Sequence, residues 1–371
     1  MWVAVSRAAR RRYGWIAVET VEWALVAGGI GLGVTFVVMP AVLLLLRRAQ
    51  VVDVPGERSS HSEVTLRGAG LATCLACTAA GAVAAAGGGV GREGLLLGLV
   101  FVLAMLGLVD DVRTLDARVR LATQAVLAMV TVGVLVWVER GAPVAVLLGA
   151  AIVVWLVAYV NAFNFMDGIN GISVAQVAAA ASVWIGYGVA ADDVLITVLA
   201  ASSVGAAVGF LPYNLPTARA FLGDVGSYHF GASLAIGAAW LVWSGAPLEI
   251  ALTPLGLYMA DTSWTLVSRA RAGQNLLEAH RSHAYQQLVD SGWSHPVTAG
   301  LVFAISAACG LLGVFASQQQ WVARLAIDGV AIVLAFGYVA LPAFLKRRSA
   351  TEPDSATTSS AQAEPAQAGG R

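Results

Sequence analysis

Apolar stretches of membrane-spanning length follow one another along almost the whole chain, and no other feature restricts the fold so strongly. Apolar residues make up 58% of the chain and charged residues only 12%, a balance outside the usual range for soluble domains. Most stretches have about 18 to 24 residues, the length that a helix needs to cross a bilayer. They lie near residues 23–46, 68–90, 94–109, 121–138, 143–160, 172–190, 194–212, 228–245, 248–267, 297–316 and 322–345.

These stretches predict an all-α fold, a polytopic transmembrane helical bundle of eleven spans. A count of ten stays open, because the third stretch is short and the boundary between the eighth and ninth is soft. Residues 1–22 form an arginine-containing leader and residues 23–346 the membrane-embedded domain. Residues 347–371 lack apolar periodicity and have the composition of a disordered tail. The first stretch is too long for the apolar part of a signal peptide, so we expect it to remain as a span.

Arginines concentrate in alternate loops, and this asymmetry predicts the orientation. One set of loops holds Arg47, Arg48, Arg58, Arg67, Arg113, Arg118, Arg120, Arg219, Arg269, Arg271 and Arg281, and Lys346, Arg347 and Arg348 follow the last span. The other set holds Arg92, Arg140 and Arg324. Because cytoplasmic loops carry the excess of positive charge, we place the first set and the C-terminus in the cytoplasm. Four arginines of the leader would then lie outside. Three alternatives would avoid this: the leader lies on the membrane surface, it is an upstream extension of a true start further along, or the helix count differs.

The loop from Asn161 to Gly171 is the first candidate for a functional site. Asn161, Asn164 and Asn170 can donate to phosphate or pyrimidine oxygens, and Asp167 can hold a cation or an amide. The glycines of this loop let the backbone approach a ligand closely. A helix N-terminus capped by Asp167 is the alternative, but it accounts for only part of this composition.

Asp110 and Asp111 end the third apolar stretch and form a second candidate. Ionised carboxylates are costly within a bilayer, so they are expected to face protein, metal or water. Neighbouring residues on a helix point about 100° apart, so the pair predicts two separate roles, one near a cation and one near the reacting group. A surface helix end is the alternative.

Asp224 stands between glycines just before the eighth stretch, in the same loop as Asn214. Its carboxylate can reach a cation while the following helix presents its positive end to phosphate oxygens. A plain helix cap is the alternative, although a cap does not need the flanking glycines and the serine at position 227.

Two basic clusters complete the set of candidate residues. Guanidinium groups and glycine-rich helix starts favour phosphate, so the first predicts an anion site or a loop held by lipid headgroups. The second is typical of diphosphate or sugar contacts, with a solvated loop as the alternative. The first consists of Arg58, His61 and Arg67, and the second of His280, Arg281 and His283.

The predicted inner loops thus gather carboxylates, amides and arginines at one membrane face. Hard carboxylate oxygens without sulfur ligands favour Mg²⁺, with Mn²⁺ as an alternative. This arrangement suits phosphoryl transfer on a substrate with one soluble and one lipid part. A secondary transporter would place its charges nearer the bilayer midplane, and a scaffold would need no such cluster.

Four motifs in this order resemble the signatures of the polyprenyl-phosphate N-acetylhexosamine-1-phosphate transferases. They are Asp110-Asp111, Asn161-x-x-Asn164-x-x-Asp167-Gly-x-Asn170-Gly171, Phe221-Leu-Gly-Asp224-x-Gly-Ser227 and His280-Arg-Ser-His283-Ala-Tyr-Gln286. The resemblance implies that a UDP-N-acetylhexosamine and undecaprenyl phosphate give undecaprenyl-diphospho-sugar and UMP in the presence of Mg²⁺. The site would face the cytoplasm from a bacterial inner membrane, and the product would initiate a cell-surface polysaccharide such as O-antigen lipopolysaccharide.

The same resemblance implies roles for the candidate residues. Asp224 and Asp111 would hold the metal, and Asp110 would act on the lipid phosphate, which makes these three the catalytic residues. Substrate would contact Arg58, His61, Arg67, Asn161, Asn164, Asp167, Asn170, Asn214, His280, Arg281 and His283. Membrane lipids are further expected partners, nucleic acid is not, and a homodimer stays open.

Departures from the family pattern bear on the sugar. Asn170 stands where the peptidoglycan enzymes carry Asp, and His-Arg-Ser-His replaces a run of three histidines. These departures favour GlcNAc or a 6-deoxy relative over phospho-MurNAc-pentapeptide, which is the alternative donor. Leu66 and Ala69 also replace the usual Pro and Gly, which leaves the first-loop roles more open.

The arginine asymmetry generates a test of orientation. A cysteine replacing Ser282 should react with an impermeant thiol reagent only after lysis, because its loop is cytoplasmic. A cysteine replacing Gln318 should react in intact cells. Labelling in the opposite order would reverse the topology and remove the cytoplasmic site.

Overall fold

The computed structural model describes residues 14–54, 63–138, 145–275, 278 and 280–351. In these ranges the chain is almost entirely helical. The helices are α1 (Gly14–Arg48), α2 (Gly70–Ala86), α3 (Leu95–Arg113), α4 (Ala117–Val138), α5 (Ala145–Met166), α6 (Ile172–Ala191), α7 (Val194–Asn214), α8 (Gly223–Trp243), α9 (Leu248–Leu252), α10 (Gly256–Arg271), α11 (Ala284–Asp290), α12 (His295–Ala316) and α13 (Trp321–Thr351).

The predicted fold class is confirmed, and each of the eleven apolar stretches coincides with helix. Among the described residues, nine helices are long and apolar enough to cross a membrane. The second stretch forms α2, which has only 17 residues. The ninth is interrupted between α9 and α10 by a 3₁₀ turn at Thr253–Leu255. Pro254 lies in this turn and has no backbone N–H to donate, which breaks a continuous helix.

The ends of the bundle differ from the predicted boundaries. α1 begins at Gly14, inside the predicted leader, and α13 continues to Thr351, past the start of the predicted tail. Apolar and helix-favouring residues continue across both boundaries, so hydropathy alone does not locate the helix ends. Residues 1–13 and 352–371 lie outside the described part of the chain.

Helix α8 forms the axis of the bundle. Every residue from Gly223 to Leu241 is buried, whereas most other spans keep an exposed apolar side. A helix buried on all sides needs small residues where its neighbours approach. A Cβ added to Gly70 of α2 would meet Gly226 Cα at 2.2 Å, and one added to Gly107 of α3 would meet the Asp224 carbonyl oxygen at 2.2 Å. Both helices therefore touch the first turn of α8 backbone to backbone.

A small sheet, absent from the sequence prediction, lies beside this first turn. Its strands are β1 (Val52–Asp53), β2 (Thr65–Arg67) and β3 (Ala220–Phe221). β1 pairs antiparallel with β2, and β2 pairs parallel with β3, with Arg67 opposite Phe221. Strands of two or three residues carry almost no periodic signal, so the pairing becomes visible only in the tertiary structure. It holds Arg67 next to the start of α8.

The backbone contact between α3 and α8 generates a stability prediction. Gly107→Ala should lower the melting temperature of the detergent-purified protein, because overpacking of this kind costs about 1–3 kcal/mol. Gly98→Ala is the matched control on the same helix, since a Cβ there meets nothing within 4 Å. Equal melting temperatures for the two variants would contradict the close contact.

Candidate active site

A cleft of about 310 Å³ opens at the end of the bundle where α8 begins. This volume is in the range of small-molecule sites, about 300–1,000 Å³. The lining comes from the small sheet, the loop between α5 and α6, the approach to α8, and the region of α11 and α12. Its polar members are Asp53, Arg67, Asn164, Asp167, Asn170, Asn214, Asp224, Gln286 and His295.

Asp224 lies at the centre of the charged part of this cleft. Its Oδ1 accepts a hydrogen bond from Asn164 Nδ2 at 2.8 Å, and its Oδ2 lies 2.8 Å from Arg67 Nη2. Asn164 Nδ2 also donates to Ser227 Oγ at 2.9 Å, one turn along α8. Strand β2, helix α5 and helix α8 thus meet at one carboxylate.

Asp111 holds Arg67 and the first turn of α8 in position without lining the cleft. Its side chain has no exposed surface and lies 2.8 Å from Arg67 Nε. Its two oxygens also accept hydrogen bonds from the backbone N–H groups of Asp224 and Val225, each at 2.9 Å. Asp111 therefore caps the N-terminus of α8 and fixes Arg67, so its oxygens face N–H donors and not the open cleft.

Asp110 has different partners from its neighbour. Its Oδ2 lies 2.6 Å from Arg120 Nη1, and its Oδ1 accepts a hydrogen bond from Leu115 N at 2.7 Å. The carboxyl group is close enough to interact with that of Asp224. Asp110 is buried, whereas the Arg120 side chain keeps 30% of its surface exposed. The Asp110–Arg120 pair thus lies beside the charged part of the cleft.

Arg67 carries a permanent charge in this setting. Burial disfavours the charged guanidinium, but the carboxylates of Asp224 and Asp111 outweigh burial and raise the pKa of Arg67 above its usual range. Its side chain remains 36% exposed toward the cleft. A forked donor held in place by two carboxylates is suited to phosphate oxygens.

Asp167 forms the floor of the cleft. Burial raises the pKa of Asp167 to about 7, against the opposing effect of the hydrogen bond that Ser173 Oγ donates at 2.5 Å. The neighbouring Gly168 is covered by Tyr285, whose hydroxyl donates to the Phe165 carbonyl at 3.0 Å. A Cβ at Gly168 would lie 2.1 Å from that hydroxyl oxygen, so only glycine fits under the tyrosine.

Two asparagines shape the end of the cleft away from Arg67. Asn214 Oδ1 accepts a hydrogen bond from Gly171 N at 2.6 Å, which ties the end of α7 to the loop before α6. Asn170 donates from its side chain to the Pro216 carbonyl and from its backbone N to His295 Nδ1, both at 3.3 Å. This end is formed by neutral hydrogen-bonding groups.

Other predicted site residues lie away from the cleft lining. Asn161 Nδ2 donates to Gln124 Oε1 at 2.5 Å, on the side of α5 that faces α4. His283 is buried and its Nδ1 lies 3.0 Å from Asp261 Oδ1. Arg281 pairs with Asp290 at 2.6 Å. Arg58 and His61 lie outside the described residues.

His280 is also absent from the cleft lining. Burial, together with the nearby His283, lowers the pKa of His280 to about 4, so the ring is neutral at pH 7. It shares a hydrogen bond of 2.9 Å with Ser282 Oγ. The second basic cluster is therefore, in this structure, a partly buried hydrogen-bonded segment outside the cleft lining.

The structure adds three residues that sequence reasoning did not select. Asp53, Gln286 and His295 line the cleft. Gln286 lies within the fourth motif, whereas Asp53 belongs to none of the four and His295 is marked only by its position at the start of an apolar helix. A polar ring at the edge of a membrane span is a weak signal, because interfacial positions are often polar.

The oxygen ligands of the cleft fit a magnesium ion only together with substrate. Among the described residues, no group of three or more His, Cys, Asp and Glu side chains could hold a metal. Mg²⁺ is, however, commonly held by one or two carboxylates plus substrate phosphates and water. Asp224, which lines the cleft, could supply such a carboxylate.

Comparison with known proteins identifies the family of this chain. Residues 94–242 match the family described as Glycosyl transferase family 4. A decaprenyl-phosphate N-acetylglucosaminephosphotransferase of Mycobacterium tuberculosis is 30% identical over 71% of this chain and 74% of its own. A probable undecaprenyl-phosphate N-acetylglucosaminyl 1-phosphate transferase of Bacillus subtilis is 25% identical over 76% and 84%. A phospho-N-acetylmuramoyl-pentapeptide-transferase of Desulforudis audaxviator is 28% identical over 78% and 98%.

The apolar helices of the bundle are those of an integral membrane protein. The relatives above place the chain in the phosphotransferase class of enzymes. The chain belongs to glycosyl transferase family 4, as its four motifs predict.

The contacts of α5 generate a prediction about its two asparagines. Asn164→Ala removes a hydrogen bond to the Asp224 carboxylate and should lower kcat/KM for phosphotransfer by about 10- to 100-fold. Asn161→Ala, one turn earlier on the same helix, should stay within about threefold of the wild type, because Asn161 faces Gln124. The measurement is the steady-state rate of each variant, normalised to the amount of folded protein and compared with the wild type. A larger loss for Asn161→Ala would contradict the position of the cleft.

Proposed function

We propose that this protein transfers an N-acetylhexosamine 1-phosphate from a UDP-sugar to undecaprenyl phosphate, giving undecaprenyl-diphospho-sugar and UMP. The observation that carries the proposal is the meeting of Arg67, Asn164 and Asp224 in one cleft, directly beside the Asp110–Arg120 pair. One such centre can take the diphosphate of the donor while a second cation receives the phosphate of the acceptor. The orientation predicted from the arginines would open this cleft to the cytoplasm of a bacterial cell.

The donor diphosphate would bind at Arg67 and Asp224. Arg67 provides a forked set of N–H donors, and Asp224, with the substrate phosphates, would hold Mg²⁺, or Mn²⁺ in its place. A bound divalent ion would neutralise phosphate charge that develops during transfer. Asp111 does not contact the donor in this proposal; it keeps Arg67 and the first turn of α8 in position.

The acceptor phosphate would approach through Arg120, whose side chain is partly exposed near the start of α4. An oxygen of the lipid phosphate attacks the sugar-bearing phosphorus of the donor. The bond from that phosphorus to the bridging oxygen breaks, and UMP leaves with this oxygen. Asp110 would act on the acceptor, both by holding Arg120 and by taking a proton from a protonated lipid phosphate.

The proposed sugar is GlcNAc or a 6-deoxy relative. Two observations support it: the neutral Asn170 at the end of the cleft, and relatives named for N-acetylglucosamine phosphate transfer. A relative named for phospho-N-acetylmuramoyl-pentapeptide transfer keeps that donor as the alternative. The product would begin a cell-surface polysaccharide.

A donor panel tests the reaction. Purified protein is incubated with undecaprenyl phosphate, Mg²⁺ and radiolabelled UDP-GlcNAc, a 6-deoxy analogue or the UDP-MurNAc-pentapeptide. Labelled lipid should form with one of the first two donors and not with the third, and EDTA should abolish it. Efficient transfer from the pentapeptide nucleotide would refute the proposed sugar, and transfer that persists in EDTA would refute the metal requirement.

A magnesium titration separates the two carboxylates. Asp224→Asn should raise the Mg²⁺ concentration for half-maximal rate, because it removes charge from the proposed metal site. Asp110→Asn should lower kcat by about 10²- to 10⁴-fold, the usual worth of acid–base help, and leave that midpoint unchanged. Initial rates at saturating substrates give both quantities. An equal shift of the midpoint in the two variants would assign Asp110 to the metal site.

A further inference from the structure

The two ends of the cleft differ in chemistry, and the proposed phosphoryl transfer takes place at only one of them. The charged end holds Arg67 and Asp224. The opposite end holds Asn170, Asn214 and His295. A nucleotide sugar has a doubly charged diphosphate between two neutral groups. The neutral end of the cleft is therefore available for one of these groups.

The contacts of His295 define which of its nitrogens can bind a ligand. Its Nδ1 accepts a hydrogen bond from Asn170 N at 3.3 Å. A nitrogen that accepts carries no proton, so the neutral ring has its proton on Nε2. Nε2 has no hydrogen-bond partner in the described part of the chain. Since His295 is only half-buried and lines the cleft, this N–H is a free donor.

Asn170 provides the complementary group. Its Nδ2 donates to the Pro216 carbonyl at 3.3 Å, which assigns the nitrogen side of the amide. Its Oδ1 accepts no hydrogen bond from any residue that the structure describes. The backbone contact between Asn170 and His295 keeps this acceptor close to the histidine. The neutral end of the cleft thus combines one N–H donor with one carbonyl acceptor.

We propose that His295, together with Asn170, is a specificity-determining residue that binds a neutral group of the donor presenting a carbonyl beside an N–H. This inference rests on the proposed function. A UDP-N-acetylhexosamine has two such groups, the pyrimidine ring and the acetamido group. A charged histidine would place N–H against the Asn170 N–H, so the contact between these two residues favours the neutral ring.

The test compares three variants of the full-length protein in detergent. His295→Phe keeps a ring of similar size and removes the donor. His295→Gln keeps an N–H donor at a similar reach. Ser294→Ala is the matched control, because Ser294 is exposed, lies next to His295 and makes no side-chain cap bond. UMP binding is measured by calorimetry, transfer from UDP-GlcNAc by initial rates, and folding by melting temperature.

His295→Phe should raise the KM for UDP-GlcNAc about tenfold, the usual worth of a hydrogen bond to a bound ligand, with kcat little changed. His295→Gln should recover most of the loss, and Ser294→Ala should match the wild type. If UMP affinity falls by the same factor, the pyrimidine ring is the group bound. If UMP affinity is unchanged, the acetamido group of the sugar is the group bound.

Unchanged KM and UMP affinity in His295→Phe would overturn the inference, as would a fall in kcat alone. These outcomes are read relative to a wild type that binds UMP and transfers sugar phosphate. A wild type that does neither would refute the proposed function itself. The two failures are therefore distinguishable.

Discussion

A buried carboxylate, that of Asp111, is the interaction on which the rest of the site depends. Burying a charge costs several kcal/mol unless donors compensate it. Here the compensation comes from the guanidinium of Arg67 and from two backbone N–H groups at the start of α8. The positive end of the α8 dipole adds to this effect. A strand, the end of α3 and the first turn of α8 are thereby joined through one side chain that never reaches the cleft.

Small residues make that junction geometrically feasible. The carboxylate can reach the helix backbone only because Gly107 lets α3 touch α8 at Asp224. Gly223 has a φ of +74°, and a Cβ there would meet Gly68 N at 2.6 Å and Asp111 Oδ2 at 2.7 Å. A side chain at this position would be strained and would also clash with the carboxylate. The glycines beside Asp224 are therefore required by the packing around this residue, independently of any ligand.

The histidine segment contributes to the cleft indirectly. Asp261 of α10 lies against His283 Nδ1 and accepts from the Ala284 backbone N–H, which fixes the start of α11. The next residue, Tyr285, covers Gly168 and donates to the carbonyl of Phe165. This chain of contacts runs from a buried aspartate to the loop that carries Asp167. The sequence predicts that the segment containing His283 contacts substrate. In the structure this segment supports the floor of the cleft.

The sequence by itself determined the membrane-embedded helical bundle, the four motifs and the family, because a bilayer demands long apolar helices and phosphate chemistry demands particular side chains. It also singled out Arg67, Asn164, Asp167 and Asp224, which the structure brings into one cleft. Only the tertiary structure decided which motif residues point elsewhere. Asn161 and Asn164 share one helix and one motif, yet the first contacts Gln124 and the second Asp224. Three residues advance a helix by about 300°, so the two side chains point in different directions. Which partner each one meets depends on how α4 and α8 pack around α5, and no local sequence pattern encodes that packing.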